Sequence, residues 1–260
     1  MTSRLLAAGL LTGLALDASA ASISVSVRGS DAIFLAGRTD LTIPEANEPW
    51  TGPGDFLGRH GGPTPEEIKE TLPPFIAVTP GDVIRVADPA VGGVNFFNGF
   101  APPSFGPGGN GLAGSSLSGL GGISGYAGPQ GPLTGVFLGN GVPNDPTTRP
   151  ATLDFTPAGL GIEFASVSPL LGQIFYIGDG VTSGGDYQDF VVPVGATRLF
   201  LGIPDGFGFG GAPGAYDDND GAYRVTIGIN QNPVPEPGAL ALLGMAAMAA
   251  FGARRGRRRG

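Results

Sequence analysis

The sequence predicts an all-β fold, a jelly-roll-like β-sandwich, and three observations point there. Short apolar runs recur along the chain, each closed off by glycine, proline, asparagine or aspartate. Two of them alternate strictly. Leu199, Leu201 and Ile203 share one face of the first, and Tyr223, Val225, Ile227 and Ile229 one face of the second. Glycine and proline number 48 and 25 of 260 residues, yet 16 phenylalanines and a hydrophobic fraction of 41% supply a core. Such a chain builds strands joined by long loops rather than a disordered coil. The segment 21–232 is long enough to bury that core as one domain.

In chain order, Arg4 precedes the apolar stretch 5–16, and the small residues Ala18–Ala20 follow. That is the layout of a secretory signal peptide over 1–20, removed by a signal peptidase so that the mature chain begins near Ala21. Strands are expected at 22–27, 32–37, 75–78, 83–87, 135–139, 151–155, 173–178, 189–194, 197–203 and 222–229. One short helix is expected over 64–72, with Thr64 as N-cap, Pro65 at the first helical position and Glu67 closing a capping box. Pro73 and Pro74 stop it. Residues 100–131 are rich in glycine and low in regular pattern, and read as a long loop. Two formal G-x-G-x-x-G matches, at 106–111 and 206–211, lack the following helix that dinucleotide binding requires.

Charge narrows the function. Between residues 21 and 235 there are 20 Asp and Glu against 8 Lys and Arg, a net charge near −12. A body this acidic is a poor partner for nucleic acid and a better one for divalent cations or neutral polymers. There is no cysteine, which excludes disulfides, a lipid-attachment thiol and thiol catalysis. No G-x-S-x-G elbow is present, the only histidine is His60, and nothing in the sequence pairs two carboxylates for glycoside hydrolysis. The chain is therefore expected not to be an enzyme. Trp50 reads as a core residue or as a stacking face for a sugar.

One region concentrates polar side chains at strand boundaries. Asp205 ends a predicted strand, a glycine-rich loop follows, and Asp217, Asp218, Asn219 and Asp220 precede the last strand. Calcium takes six to eight oxygen ligands from carboxylates, amides and carbonyls, and such a loop supplies all three. The same residue types also build ordinary turns. Both readings stay open on composition alone.

The chain closes with Pro235, Glu236 and Pro237, then thirteen uncharged residues from Ala239 to Phe251, then Arg254, Arg255, Arg257, Arg258 and Arg259. As a helix the apolar run would cover roughly 20 Å, short of the ~30 Å hydrocarbon core. Its arginines would stay on the cytoplasmic side. This ending, 233–260, resembles the PEP-CTERM sorting signal: a proline-bracketed glutamate, a short transmembrane helix and a terminal arginine cluster in that order. The resemblance implies export by the general secretory machinery, transient inner-membrane anchoring, and recognition and cleavage by an exosortase near the triplet. It further implies release to the cell surface or extracellular matrix of a Gram-negative bacterium that makes exopolysaccharide.

Three stretches of the body, 79–86, 131–139 and the segment 195–229, resemble the calcium-dependent galactose-binding bacterial lectins, which are small β-sandwiches. The resemblance places Ca²⁺ on Asp205, Asp218 and Asn219, with sugar hydroxyls completing the shell. Twelve residues separate Asp205 from Asp218, a longer loop than the family's, and the family's sugar-contacting histidine has no counterpart. The leading expectation is thus a lectin-like, calcium-assisted module that holds exopolysaccharide. The alternatives are a structural surface protein in which calcium only rigidifies the loop, and a polysaccharide-acting hydrolase.

Overall fold

The structure is a computed structural model that describes residues 21–43, 57, 70–97, 104–111 and 114–231. Among the described residues there are twelve strands: β1 (Ala21–Arg28), β2 (Phe75–Ala77), β3 (Val83–Asn95), β4 (Ser115–Leu117), β5 (Tyr126–Gly128), β6 (Thr134–Leu138), β7 (Ser166–Val167), β8 (Ile174–Tyr176), β9 (Asp189–Val191), β10 (Arg198–Gly202), β11 (Gly210–Gly211) and β12 (Asp220–Ile229). They form a five-stranded sheet ordered β1-β12-β3-β9-β7, a four-stranded sheet β2-β10-β6-β8 and a small sheet β11-β4-β5. The protein is all-β, as the sequence predicts, in the manner of a β-sandwich.

Alternation explains the first sheet. In β1 the serines at 22, 24 and 26 are exposed and Val27 is buried; in β12 Tyr223, Val225 and Ile227 are buried while Arg224 is exposed. Burying every second side chain leaves one face for the core and one for water. The two strands pair antiparallel over their whole shared length, Ala21 opposite Ile229 and Arg28 opposite Ala222. The second sheet is different. Every residue of β6 is buried, and so are Leu199 to Gly202 of β10, because these strands lie inside the four-stranded sheet and are covered on both faces. Phe137 and Phe175 stack there at 5.0 Å.

Close strand approach uses glycine where a side chain cannot fit. Gly92 of β3 lies opposite Tyr223 with φ of +108°, and a Cβ there would stand 2.3 Å from the Ala222 carbonyl oxygen. That conformation and that distance both demand glycine.

Several expectations need correction. Residues 32–37 are not a strand: Ile33–Leu35 form a single 3₁₀ turn. All six are buried, with Ala32 bridging Ile203 and Asp31 bridging Thr71. An all-apolar run can plug the end of a core as readily as it can pair, and periodicity does not separate the two. Residues 151–155 carry only a bridge at Asp154, whose carboxylate accepts the Thr156 N–H (2.9 Å) and turns the chain. The strand expected at 83–87 continues to Asn95. The supposed loop 100–131 contains β4 and β5. Of the helix expected over 64–72, residues 64–69 lie outside the described residues. Glu70, Thr71 and Leu72 are not helical, since Thr71 bridges Asp31 instead. The signal peptide, Trp50, His60 and the tail from 232 also lie outside the described residues.

Candidate functional site

The candidate site forms where the two large sheets meet at one end. β10 belongs to the four-stranded sheet and β12 to the five-stranded one, so the connection 203–219 crosses between layers. An ordinary hairpin turn between two strands of one sheet is thereby ruled out. Asp205 comes three residues after β10. Asp218 and Asn219 come directly before β12, at the end of a 3₁₀ turn spanning Tyr216–Asp218.

Tyr216 holds the crossing closed. Its hydroxyl donates to the Ile203 carbonyl (2.7 Å) and accepts the Asp205 N–H (3.1 Å), while the Gly214 N–H donates to the Asp205 carbonyl (3.1 Å). Burial pushes the Tyr216 phenol well above its ordinary range, and the Asp205 carboxylate adds to the effect. Tyr216 therefore stays a neutral hydroxyl. The glycine loop is anchored through Phe209, which meets the rings of Phe96 and Phe97 edge-on at 5.7 and 5.8 Å. Phe207, two residues after Asp205, is 66% exposed.

The site's oxygens are buried. Asp205 is 2% exposed, Asn219 1% and Asp217 4%. Asp205 accepts the Gly206 N–H on Oδ1 (2.7 Å), and Asn219 donates through Nδ2 to the Gly29 carbonyl (3.0 Å) at the end of β1. The other oxygen of each, Asp205 Oδ2 and Asn219 Oδ1, is buried with no hydrogen-bond partner. Leaving such an atom unsatisfied costs about 1–3 kcal/mol, more when it is charged. Burial raises the Asp205 acid well above its ordinary range. The Gly206 N–H and the nearby Asn219 amide oppose this, and the charges of Asp218 and Asp217 reinforce it.

Two species relieve that strain: a proton on Asp205 or a cation among the oxygens. The donor set is oxygen only, which fits a hard ion such as calcium and not zinc. Among the described residues no group of three or more His, Cys, Asp or Glu is arranged to hold a metal, so carboxylates alone do not make the site. The Asn219 amide oxygen and backbone carbonyls would have to complete it. The structure brings Asp205, Asn219, Asp217 and Asp218 together. Sequence reasoning missed Tyr216 and Gly29, which fix Asp205 and Asn219 in place. A lone tyrosine inside an acidic tract was the available signal.

A second feature lies away from this end. A groove of about 530 Å³ on the five-stranded sheet is lined in part by Ser24, Ser26, Asp88, Arg224 and Thr226. Val25, Pro89, Val91 and Val225 complete its lining, so its walls are mixed, and Ser24 and Thr226 already hydrogen-bond to each other at 3.3 Å.

Among the described residues no helix is long and apolar enough to cross a membrane, and the run 239–251 lies outside them. Residues 233–259, a span that includes Pro235, Glu236, Pro237 and the arginine cluster, match the model of the PEP-CTERM protein-sorting motif, which supports an exported chain, transiently membrane-anchored and processed by an exosortase. No curated protein and no solved structure matches the chain, and the likeness of the body to calcium-dependent lectins is not shown.

Proposed function

Starting from a chain that carries a PEP-CTERM motif, and so is exported, transiently anchored in the membrane and processed by an exosortase, we propose that its body is a cation-stiffened module of the cell surface or matrix. One Ca²⁺, held by Asp205, Asp218 and Asn219, fastens the two sheets where the chain crosses between them. The observation that carries this reading is the pair of buried, unsatisfied oxygens, Asp205 Oδ2 and Asn219 Oδ1, brought together from the two ends of the connection 203–219. The reading assigns no catalysis.

A second reading, lectin-like binding of exopolysaccharide, draws support from Phe207. Its exposed ring sits on the loop next to Asp205 and offers an apolar face to the C–H groups of a sugar. The burial of Asp205 and Asn219 favours the first reading, because a sugar hydroxyl has little room to reach an ion between them.

Calcium that binds only the folded state adds RT ln(1 + [L]/Kd), ~2.7 kcal/mol at a hundredfold excess over Kd. The expected result is a melting temperature that rises with millimolar calcium and falls with chelator, and an Asp205→Asn variant that responds to neither. A wild-type melting temperature indifferent to both rejects the cation. Glycan-array binding abolished by chelator, and by Phe207→Ala, would favour the lectin-like reading over the structural one.

A further inference from the structure

The acidic crossing and Gln231, the last described residue before the sorting motif, lie at opposite ends of β12. β12 starts at Asp220 beside Asn219 and runs ten residues to Ile229, ~33 Å at ~3.3 Å per residue. Ala21, the first residue of β1, pairs with Ile229 at that far end. The exit is held in place there. The Asn230 N–H donates to the Val83 carbonyl (2.9 Å), and Arg85 donates to the Gln231 carbonyl (2.9 Å).

Exposed apolar side chains collect beside the exit. Asp82 accepts the Asn230 amide on Oδ1 (2.8 Å), and its carbonyl accepts the Val192 N–H (2.9 Å). The turn 192–197 therefore sits next to the departing chain. Val194 at its tip is 89% exposed. A Cβ on the next residue, Gly195, would meet Leu171 Cδ1 at 3.2 Å, which brings Leu170 and Leu171, 59% and 38% exposed, to the same end. Single exposed apolar residues are ordinary, but three on neighbouring turns beside one exit are a surface that wants a partner.

The length of chain beyond the exit says which partner. Seven residues separate Gln231 from Ala239, where the apolar run of the sorting motif begins. Even fully extended, at ~3.3–3.6 Å per residue, they hold the exit within roughly 30 Å of that run. We propose that, before cleavage, this end of the sandwich rests on the lipid surface, with Val194, Leu170 and Leu171 entering the interface and the acidic crossing pointing away. Arg85 at the exit is already ion-paired with Asp189, and Asp82 beside it gives no attraction to anionic headgroups, so the contact is apolar and needs only neutral lipid. The proposal rests on the anchoring stage that the sorting motif implies, and is independent of calcium.

The test uses the full chain in phosphatidylcholine vesicles. The chain has no cysteine, so Val194→Cys and, at the opposite end, Phe207→Cys each give one site for an environment-sensitive fluorophore. Both positions are exposed, and substitution there leaves the core untouched. A blue shift and quenching by nitroxide-labelled lipid at position 194, with neither at 207, is the expected result. In vesicles that carry the protein on flotation, a probe at 194 that lipid does not quench overturns the proposal. So does a blue shift that lipid leaves unquenched, which marks a second copy of the chain as the cover. Failure to float overturns the anchoring itself, and the proposal with it.

Discussion

Raising the pH across the weakly acidic range should destabilise this protein through one buried carboxylate, Asp31. The residue has no solvent exposure. Its Oδ1 accepts the Thr71 hydroxyl (2.5 Å) and its Oδ2 the Arg28 N–H (2.7 Å), and desolvation still outweighs both, lifting the acid from 3.8 to about 6. A carboxyl that holds its proton more tightly when folded contributes stability that is full below about 4 and is lost as pH rises towards 6. Each pH unit in that interval is worth ~1.4 kcal/mol, so the loss is about 3 kcal/mol. Asp31→Asn keeps an oxygen for Thr71 but sets an NH₂ against the Arg28 N–H, a fixed cost of about 1–3 kcal/mol at every pH. The quantity to compare is therefore the change in unfolding free energy between pH 4 and pH 7, from urea melts without calcium. Wild type should lose about 3 kcal/mol more across that range than the variant. Equal pH slopes in the two proteins would refute the reasoning.

The remaining expectations follow from single contacts. Gly92→Ala forces a Cβ against the Ala222 carbonyl at an unfavourable φ, and should destabilise the β3–β12 pairing by more than ~2 kcal/mol in a urea melt. Phe137→Ala empties a fully buried site against Phe175 and should cost about 3–5 kcal/mol without changing the circular-dichroism spectrum of the fold. Calcium binding requires Asp205 to give up a proton that burial holds tightly, so calorimetric affinity should rise from pH 5 to pH 8. Glu236→Ala in the proline bracket should block processing and leave the protein in the inner membrane on fractionation; normal release would show that the glutamate is dispensable.

How much of this was legible in the sequence differs by element. β1 and β12 announce themselves because each buries one face only, and the alternation of Ser22–Val27 and Tyr223–Ile229 records that directly. The run 32–37 looks like a strand for the same reason that β6 does: both are buried all round, and only the tertiary environment separates a 3₁₀ plug from a central strand. β4, β5 and β11 escape notice because Ser115–Leu117, Tyr126–Gly128 and Gly210–Gly211 are too short and too small to carry a periodic signal. The acidic crossing was visible as a concentration of carboxylates. Its geometry was not, since nothing local reveals that β10 and β12 belong to different sheets or that the Asn219 amide reaches the Gly29 carbonyl.

The claim that a cation joins the sheets is tested most directly by diffraction. Crystals of the purified protein grown in millimolar calcium, with data collected at a long wavelength, should show an anomalous peak at ~2.3–2.6 Å from the side-chain oxygens of Asp205 and Asn219. The contradicting result is no peak there, with Asp205 Oδ2 at hydrogen-bond distance from Asn219 Oδ1, the signature of a protonated carboxyl that satisfies both atoms without any metal.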